Sequence, residues 1–538
     1  MSTLSQLEPS AEHVVVEERV DDDLKDILRR SFRPRTNEAA EAVQSAVETL
    51  LTYARRNRVV VREDVAQTIE QLVAELDKKI SGQLTEVLHN KRFQALEGAW
   101  RGLHYLVSNT DTSENLKIRY LNISKSDLGK TLRRFKGVVW DQSPIFKMIY
   151  EQEYGQFGGE PFGCLIGDYQ FDHSMQDVSI LTEMSKIAAA AHAPFVSAAA
   201  PGLLQMDNWN ELSNPRDVSK IFTSTEYAFW RRLRESNDSR YLALTMPRFL
   251  ARVPYGPKTQ PIEEFGFEEK VDPDRSEDFC WANSAYAMGA NITRAFKTYG
   301  WCTKIRGIES GGAVEVLPKF VLPSQDQEVE LHCPTEIAIS DRREHELSES
   351  GLMPLVYRKN SDTAAFIGAK TVHRPSIYED DDATANANLS SRLPYIFATC
   401  RFAHYLKCIV RDKIGSFKSR EDTQRWLNDW LMNYVDGDPS ISSETTKAKR
   451  PLSAAEVVVD EIPENPGYYR AQFSCAPFPA GGLTVSLRLV SKLPSTKQES
   501  APDRRQPVEP LPRGGRRIRK IAGRPRGGGR GAVSLHAW

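Results

Sequence analysis

The 538-residue sequence predicts an α/β (α+β) fold, and three observations lead there. Phe162 to Ile166 is a short apolar run, Ile180 to Ala191 an Ala-rich helical stretch, and Pro194 to Ala199 a second apolar run, which together read as a βαβ unit. Long amphipathic helical stretches precede that unit. A strand of strict period two, Leu483 to Val490, follows it far downstream.

Taken in order, the first twenty or so residues mix acids with the run Val14-Val15-Val16, too little apolar material for a core and suited to an arm that orders on a neighbour. After Asp21-Asp22-Asp23, the residues Leu24, Ile27, Leu28 and Phe32 recur at helical spacing, with the aspartates where a helix N-terminus favours negative charge. Pro34 limits that helix. Val65, Ile69, Leu72, Leu76, Ile80 and Leu84 then step by three or four along one face of a long helix, and that face requires a packing partner. A second helix carries Phe93, Leu96, Trp100, Leu103 and Leu106, and both helices read as scaffold. Beyond SNTDTSEN, the alternation Leu116, Ile118, Tyr120 predicts a strand. A long helix is expected from Arg392 to Ile414, and Trp426, Leu427, Trp430, Leu431 and Tyr434 form an aromatic stripe on the next one, a pattern of core or interface rather than of cofactor binding. SSETTKAKRP is an exposed loop, and a last β region begins at Glu456. Within it Leu483, Val485, Leu487 and Leu489 line one face of a strand suited to pairing with another chain's sheet edge.

Composition excludes several function classes. The 71 basic and 72 acidic side chains leave a net charge of -1, which selects no polyanionic partner, although the Arg/Gly/Pro-rich stretch after Arg504 makes the rest correspondingly acidic. Seven scattered cysteines with no CxxC pair argue against a disulfide framework and against a zinc site. No apolar run approaches the roughly 20 residues that span a bilayer, and the start lacks the basic-then-apolar order of a signal peptide. A cytoplasmic protein without direct membrane insertion is expected.

The stretches that hint at chemistry are incomplete. Gly129-Lys130-Thr131 resembles the end of a phosphate-binding loop, but Ser124 stands where the upstream glycine is required. Glu309-Ser-Gly-Gly-Ala313 fits neither a dinucleotide fingerprint nor a nucleophile elbow and reads as a tight turn. Asp168, Asp172 and His173 follow a predicted strand, where α/β ligand sites form, yet their spacing matches no metal signature. Glu344-His345-Glu346 lacks the second histidine of a zinc helix, and His104 and His404 read as hydrogen-bonded structural histidines. No catalytic residues, cofactor or metal are expected, and the chain is not expected to be an enzyme.

Six stretches read together as one family: SFRPRTNEAAEAVQSAVETL, HNKRFQALEGAWRGLHYLV, PRFLARVPYG, WCTKIRGIESGGAVEVLP, PTEIAISDRREHELSESGLMPLVYRKNSDTAAFIGA and ANANLSSRLPYIFATCRFAHYLKCIVRDKIGSF. They resemble the large subunit of the type VI secretion contractile sheath, the TssC/VipB (EvpB-like) family, from about residue 24 to 495. The resemblance implies a contractile-sheath core, an N-terminal helical region and terminal strands that augment the sheets of neighbouring protomers. It implies a helical polymer built with a small sheath subunit (TssB/VipA-like) around an Hcp-like inner tube, anchored on a baseplate, whose contraction drives the tube outward. A ClpV-like AAA+ unfoldase would recycle contracted sheaths by gripping the helix at Leu24, Ile27, Leu28 and Phe32. The corresponding organisation is an arm and recognition helix over 1–60, a helical region packing with the small subunit over 61–110, an α/β core over 111–435, and a β region with the inter-subunit strand over 436–495.

Two departures stand out. Where family members carry an aromatic, Arg-Pro-His and Leu-Glu-Gly, this chain has Ser474-Cys-Ala-Pro-Phe-Pro-Ala-Gly-Gly482, which weakens the strand leading into the last turn. Residues 496–538 are basic, of low complexity and without apolar periodicity, and are expected to be unstructured. They are either an appended segment able to touch anionic surfaces or nucleic acid, or an out-of-frame extension. The second reading is preferred, because GC-rich DNA in a wrong frame yields such text, and no nucleic-acid partner is expected.

Overall fold

The computed structural model describes residues 65–214, 217–263, 265–322, 330–359, 361–412, 420–438, 441–461, 468–477, 491–494 and 532–537, with scattered positions between 38 and 52. The segments holding Leu24, Ile27, Leu28 and Phe32, the run Val14–Val16, and Leu483, Val485, Leu487 and Leu489 lie outside the described residues.

The chain forms two compact units, one of residues 1–90 and 254–278, the other of 91–253 and 279–538. The helical block expected over 61–110 is therefore divided at residue 90. In the first unit, helix α1 (Val65–Leu88) packs on the 254–278 segment through polar groups. Asp77 Oδ2 accepts from the Gly266 amide at 3.3 Å, and His89 Nε2 lies 3.2 Å from Glu269 Oε1, while the other oxygen of Glu269 accepts from the Tyr255 amide at 3.0 Å.

In the second unit the elements that position everything else are α2 (Lys91–Ser108), β1 (Leu116–Leu121), α3 (Lys125–Arg134), β2 (Phe162–Phe171), α4 (Met175–Ala191), β3 (Phe195–Ala199), β4 (Leu242–Met246), α5 (Ser284–Tyr299), β5 (Ala313–Val314), β6 (Met353–Tyr357) and β7 (Ala364–Phe366). They are followed by α6 (Leu393–Asp412), α7 (Arg420–Met432), β8 (Leu452–Glu461), β9 (Tyr468–Pro477), β10 (Ser491–Pro494) and β11 (Ala532–Ala537). The main sheet has the order β1-β11-β2-β3-β4-β6-β7-β5. β2, β3, β4 and β6 run parallel, as the βαβ reading of residues 162–199 expects. The outer pairs are antiparallel.

Period-two alternation distributes the apolar side chains of this sheet to both faces. Leu165, Phe195, Leu242 and Leu244 join one buried cluster with Leu181, Met184 and Ile187 of α4; Cys164, Ile166, Val196 and Ala243 join another with Tyr286, Met288 and Ile292 of α5. The register shifts between Ile166 and Gln170, and the Ser197 hydroxyl donates to the carbonyls of Gly167 (2.7 Å) and Tyr169 (3.0 Å) at that irregularity. A third cluster gathers the expected aromatic stripe: Leu427 and Leu431 with Trp426, Trp430 and Tyr434 against Trp301, Phe402, Leu406, Leu452, Val457 and Val459. β8, β9 and β10 form a separate antiparallel sheet, starting at Leu452 rather than Glu456.

On α2 the residues Phe93, Leu96 and Trp100 are exposed, and the buried positions are Gly98, Gly102 and Leu106. One expectation needs correction. The tail over 496–538 was expected to be unstructured throughout, but Ala532–Ala537 is a strand inside the main sheet. Its sequence, Ala-Val-Ser-Leu-His-Ala, lacks the Arg, Gly and Pro of the residues before it, so nothing in it prevents pairing on both edges.

Candidate interaction surfaces

Each stretch that hinted at chemistry is used structurally. Gly129, Lys130 and Thr131 lie inside α3, where the Thr131 hydroxyl donates to the Asp127 carbonyl at 2.8 Å, so no loop is available to wrap a phosphate. Asp172 and Asp177 build the start of α4: Asp172 Oδ1 accepts from the Ser174 amide at 2.8 Å, and Asp177 Oδ2 takes both the Asp172 amide at 2.9 Å and Lys125 Nζ at 2.5 Å. His173 holds the Gly202 carbonyl at 2.8 Å and stacks on Tyr227. Asp168 accepts from Asn283 Nδ2 at 3.1 Å deep in the sheet. Glu346 sits between Arg342 and Arg343, and Glu309 belongs to the turn that enters β5. Among the described residues, no group of three or more His, Cys, Asp or Glu could hold a metal ion, and no helix is long and apolar enough to cross a membrane.

The histidine of α6 is structural, as expected. His404 Nε2 lies 2.9 Å from the Ala191 carbonyl at the end of α4, and burial lowers its pKa to about 3. His192, in the left-handed conformation that ends α4, is lowered to about 4 by the same burial, with Lys407 adding to the effect. Lys407 itself lies 3.6 Å from the centre of the Tyr154 ring, and its ammonium donates to the Tyr150 hydroxyl at 3.2 Å.

The surface that stands out is on α2. Gly98 and Gly102 put bare backbone against α5 and the strand before it: a Cβ on Gly98 would lie 2.3 Å from the Trp281 carbonyl oxygen, and one on Gly102 would lie 2.4 Å from the Tyr286 ring. Glu97 fixes the rotation of the helix, accepting from Arg252 Nε at 2.7 Å and Arg101 Nε at 2.8 Å. Burial raises the Glu97 pKa, but these two guanidinium groups more than offset it and hold the carboxyl below its usual range. With the small face docked, the large apolar face points outward. Phe93, Leu96, Trp100 and Val107 follow one another along it, Trp100 is 56% exposed, and Tyr120 of β1 stands 6.0 Å from the Trp100 ring. α1 repeats the arrangement within its own unit: Ser81 and Thr85 are buried, whereas Val73, Ile80, Leu84 and Val87 are exposed along one face. Two helices with polar or small residues inward and apolar residues outward are the pattern of surfaces that await a partner.

Residues 70–373 match the family model VipB, described as EvpB/VC_A0108, tail sheath N-terminal domain, and residues 382–493 match VipB_2, the EvpB/VC_A0108 tail sheath gpW/gp25-like domain. The chain belongs to the VipB/EvpB family of type VI secretion sheath large subunits. Consistently, it is 62% identical over 473 residues, 88% of its length and 95% of the other's, to the type VI secretion system sheath protein TssC1 of Pseudomonas aeruginosa. A chain in the cryo-EM structure of the anti-feeding prophage baseplate is similar at 10% identity over 59% of this chain and 66% of that one, with a TM-score of 0.32 too low to bear on the fold. The first family domain takes in α1, α2 and the main sheet as far as β7, and the gpW/gp25-like domain takes in α6, α7, β8 and β9. The apolar stripe of α2 was visible in the sequence, but its outward direction was not. The signal that could have given it is the Gly98/Gly102 spacing of four, which marks a face of close approach.

Proposed function

We propose that this sheath subunit works by geometry: it polymerises with a small sheath subunit of the TssB/VipA type, forms a helical tube around an Hcp-like inner tube on a baseplate, and delivers work when the lattice contracts. The observation that carries this reading is the outward apolar face of α2, with Trp100 as its most prominent anchor. Such a face on a structural family member suits a permanent partner, here the small subunit. Leu483, Val485, Leu487 and Leu489, which directly precede β10 in the chain, have the alternation to pair with a neighbouring protomer's sheet. Leu24, Ile27, Leu28 and Phe32 have the spacing of a helix that a ClpV-like unfoldase could grip after contraction.

In this reading the chain acts in the cytoplasm and carries out no catalysis. Contraction requires two packings of the same subunits that differ modestly in free energy, and the gain per protomer, a few kcal/mol, accumulates along the polymer. Co-expression with the small sheath subunit tests it: tubular polymers by electron microscopy are expected, and non-associating monomers would contradict it. Replacing Leu24, Ile27 and Leu28 by Ser should leave assembly intact and slow disassembly by the unfoldase; unchanged recycling would refute that role.

A further inference from the structure

Two surfaces of the second unit carry opposite charge and have no part in the reading above. The first surrounds Arg306 and Arg392, both half-buried. The Gly307 amide donates to the Phe366 carbonyl at 2.7 Å and the Leu393 amide to the Ala369 carbonyl at 2.8 Å, which brings the residue before each donor to the same short stretch at the end of β7. Burial lowers the Arg306 pKa, and the like charge of Arg392 lowers it further. Among the described residues neither guanidinium has a hydrogen bond or an ion pair: Glu349 is taken by Lys370, Glu344 accepts from the Ser348 hydroxyl at 2.8 Å, and the exposed Glu309 pairs with neither. Ile308, 54% exposed, and Ile367 lie beside them in the chain segments that carry these bonds. Two like charges held half-buried without a counter-ion mark a place that an acidic partner completes.

The second surface is an acidic knob. Ile377 is 83% exposed, and Tyr378, Glu379, Asp380, Asp381 and Asp382 after it are exposed as well. The knob is pinned. Thr384 Oγ1 accepts from the Tyr378 amide at 2.9 Å and donates to the Tyr378 carbonyl at 3.1 Å, and Asp380 Oδ1 caps the helix Asp381–Leu389 by accepting from the Asp382 amide at 3.1 Å. Among the described residues Glu379, Asp381 and Asp382 form no ion pair. At about 1.5 Å per residue the ends of that nine-residue helix stand about 12 Å apart, and Arg392 lies beyond the far end. The acids of one chain therefore do not reach the guanidinium groups of the same chain.

We propose that the knob Ile377–Asp382 of one copy docks on the Arg306/Arg392 surface of a second copy. Charge complementarity names the occupant: each surface pairs unmatched charges of one sign with exposed isoleucine, and each offers what the other lacks. Planar guanidinium groups suit carboxylates, and a knob already fixed by its own hydrogen bonds loses little freedom on docking. Because the two surfaces differ, the contact is head-to-tail and repeats from copy to copy, as an open helical polymer requires. This rests on the polymer reading above, and the experiment separates the two.

Three proteins test it, each purified with the small sheath subunit: the unaltered chain, a basic-end variant with Arg306→Glu and Arg392→Glu, and an acidic-end variant with Asp381→Lys and Asp382→Lys. Each variant alone presents like charges at both surfaces and should yield about tenfold less sedimentable polymer than the unaltered chain. Mixed in equal amounts the two variants should polymerise again, because every altered surface then meets an opposite charge on the other protein. Mixing would not repair damage to residues that merely support the fold. The proposal is overturned if either variant alone polymerises as the unaltered chain does, or if the mixture does no better than its parts while both variants keep the unaltered urea midpoint. Should the basic-end variant not keep that midpoint, Arg392→Gln decides: a loss of polymer of about threefold or more supports the contact, and no loss refutes it. If the unaltered chain forms no polymer with the small subunit, the polymer reading fails, and the contact is decided on the isolated chain. Its self-association in the ultracentrifuge should then weaken in each variant and return in the mixture, and no difference among the three would refute the contact.

Discussion

The central strands β2, β3 and β4 and the helix α2 use the same kind of residue in opposite ways. In the sheet, alternation sends apolar side chains to both faces, and α4 and α5 cover both. In α2 the apolar stripe is the face left in solvent, and two glycines and a buried Glu97–Arg252 pair make the attachment. The contrast separates two roles that periodicity alone does not distinguish: burial against the chain itself, which stabilises the monomer, and, in the assembly proposed above, burial against another chain.

Substitutions should separate these roles, and their effects on monomer stability should fall in a definite order. Phe195→Ala removes a fully buried ring from the parallel sheet and should cost about 4 kcal/mol by urea denaturation. Gly98→Ala forces a methyl group against the Trp281 carbonyl and should cost about 3 kcal/mol, because the obstacle is backbone that cannot rotate away. A pH effect comes next. Burial depresses the pKa of His404 to about 3, so the unfolded chain binds a proton more readily than the folded one. Its contribution is complete above the ordinary histidine value near 6.5 and is lost as the pH falls from there toward 3, at up to about 1.4 kcal/mol per pH unit. Urea midpoints at pH 7 and pH 5.5 should show this decline, and His404→Gln should reduce it without abolishing it, because burial lowers His192 in the same way. Trp100→Ala should change monomer stability least, by about 0.5 kcal/mol or less, while weakening association with the small subunit by about 2 kcal/mol, read as a roughly thirtyfold rise in Kd. A large loss of monomer stability on Trp100→Ala would erase the contrast.

Much of the fold was legible because local periodicity decides it. The βαβ unit at 162–199, the helices at 65–88 and 91–108 and the aromatic stripe of Trp426, Trp430 and Tyr434 all lie where spacing placed them. The facing of α2 was not legible, since a helix with one apolar and one small-residue face can dock by either, and the choice depends on Trp281 and Tyr286, far away in sequence. Nor was β11: sheet membership is a long-range property, and six residues after an Arg/Gly-rich stretch carry no local sign of the edges they join. The candidate chemistry at Asp172 and His173 dissolved for a related reason, because helix capping and a backbone carbonyl account for both side chains, and neither partner can be read from spacing.

The most direct measurement is hydroxyl-radical footprinting of the isolated chain and of polymers formed with the small sheath subunit, read at Phe93, Leu96 and Trp100, with Phe195 and Tyr286 as buried references. The three α2 side chains should react readily in the isolated chain and become protected on assembly, with the references unreactive in both states. Equal reactivity of Trp100 before and after assembly would contradict a partner on the outward face of α2.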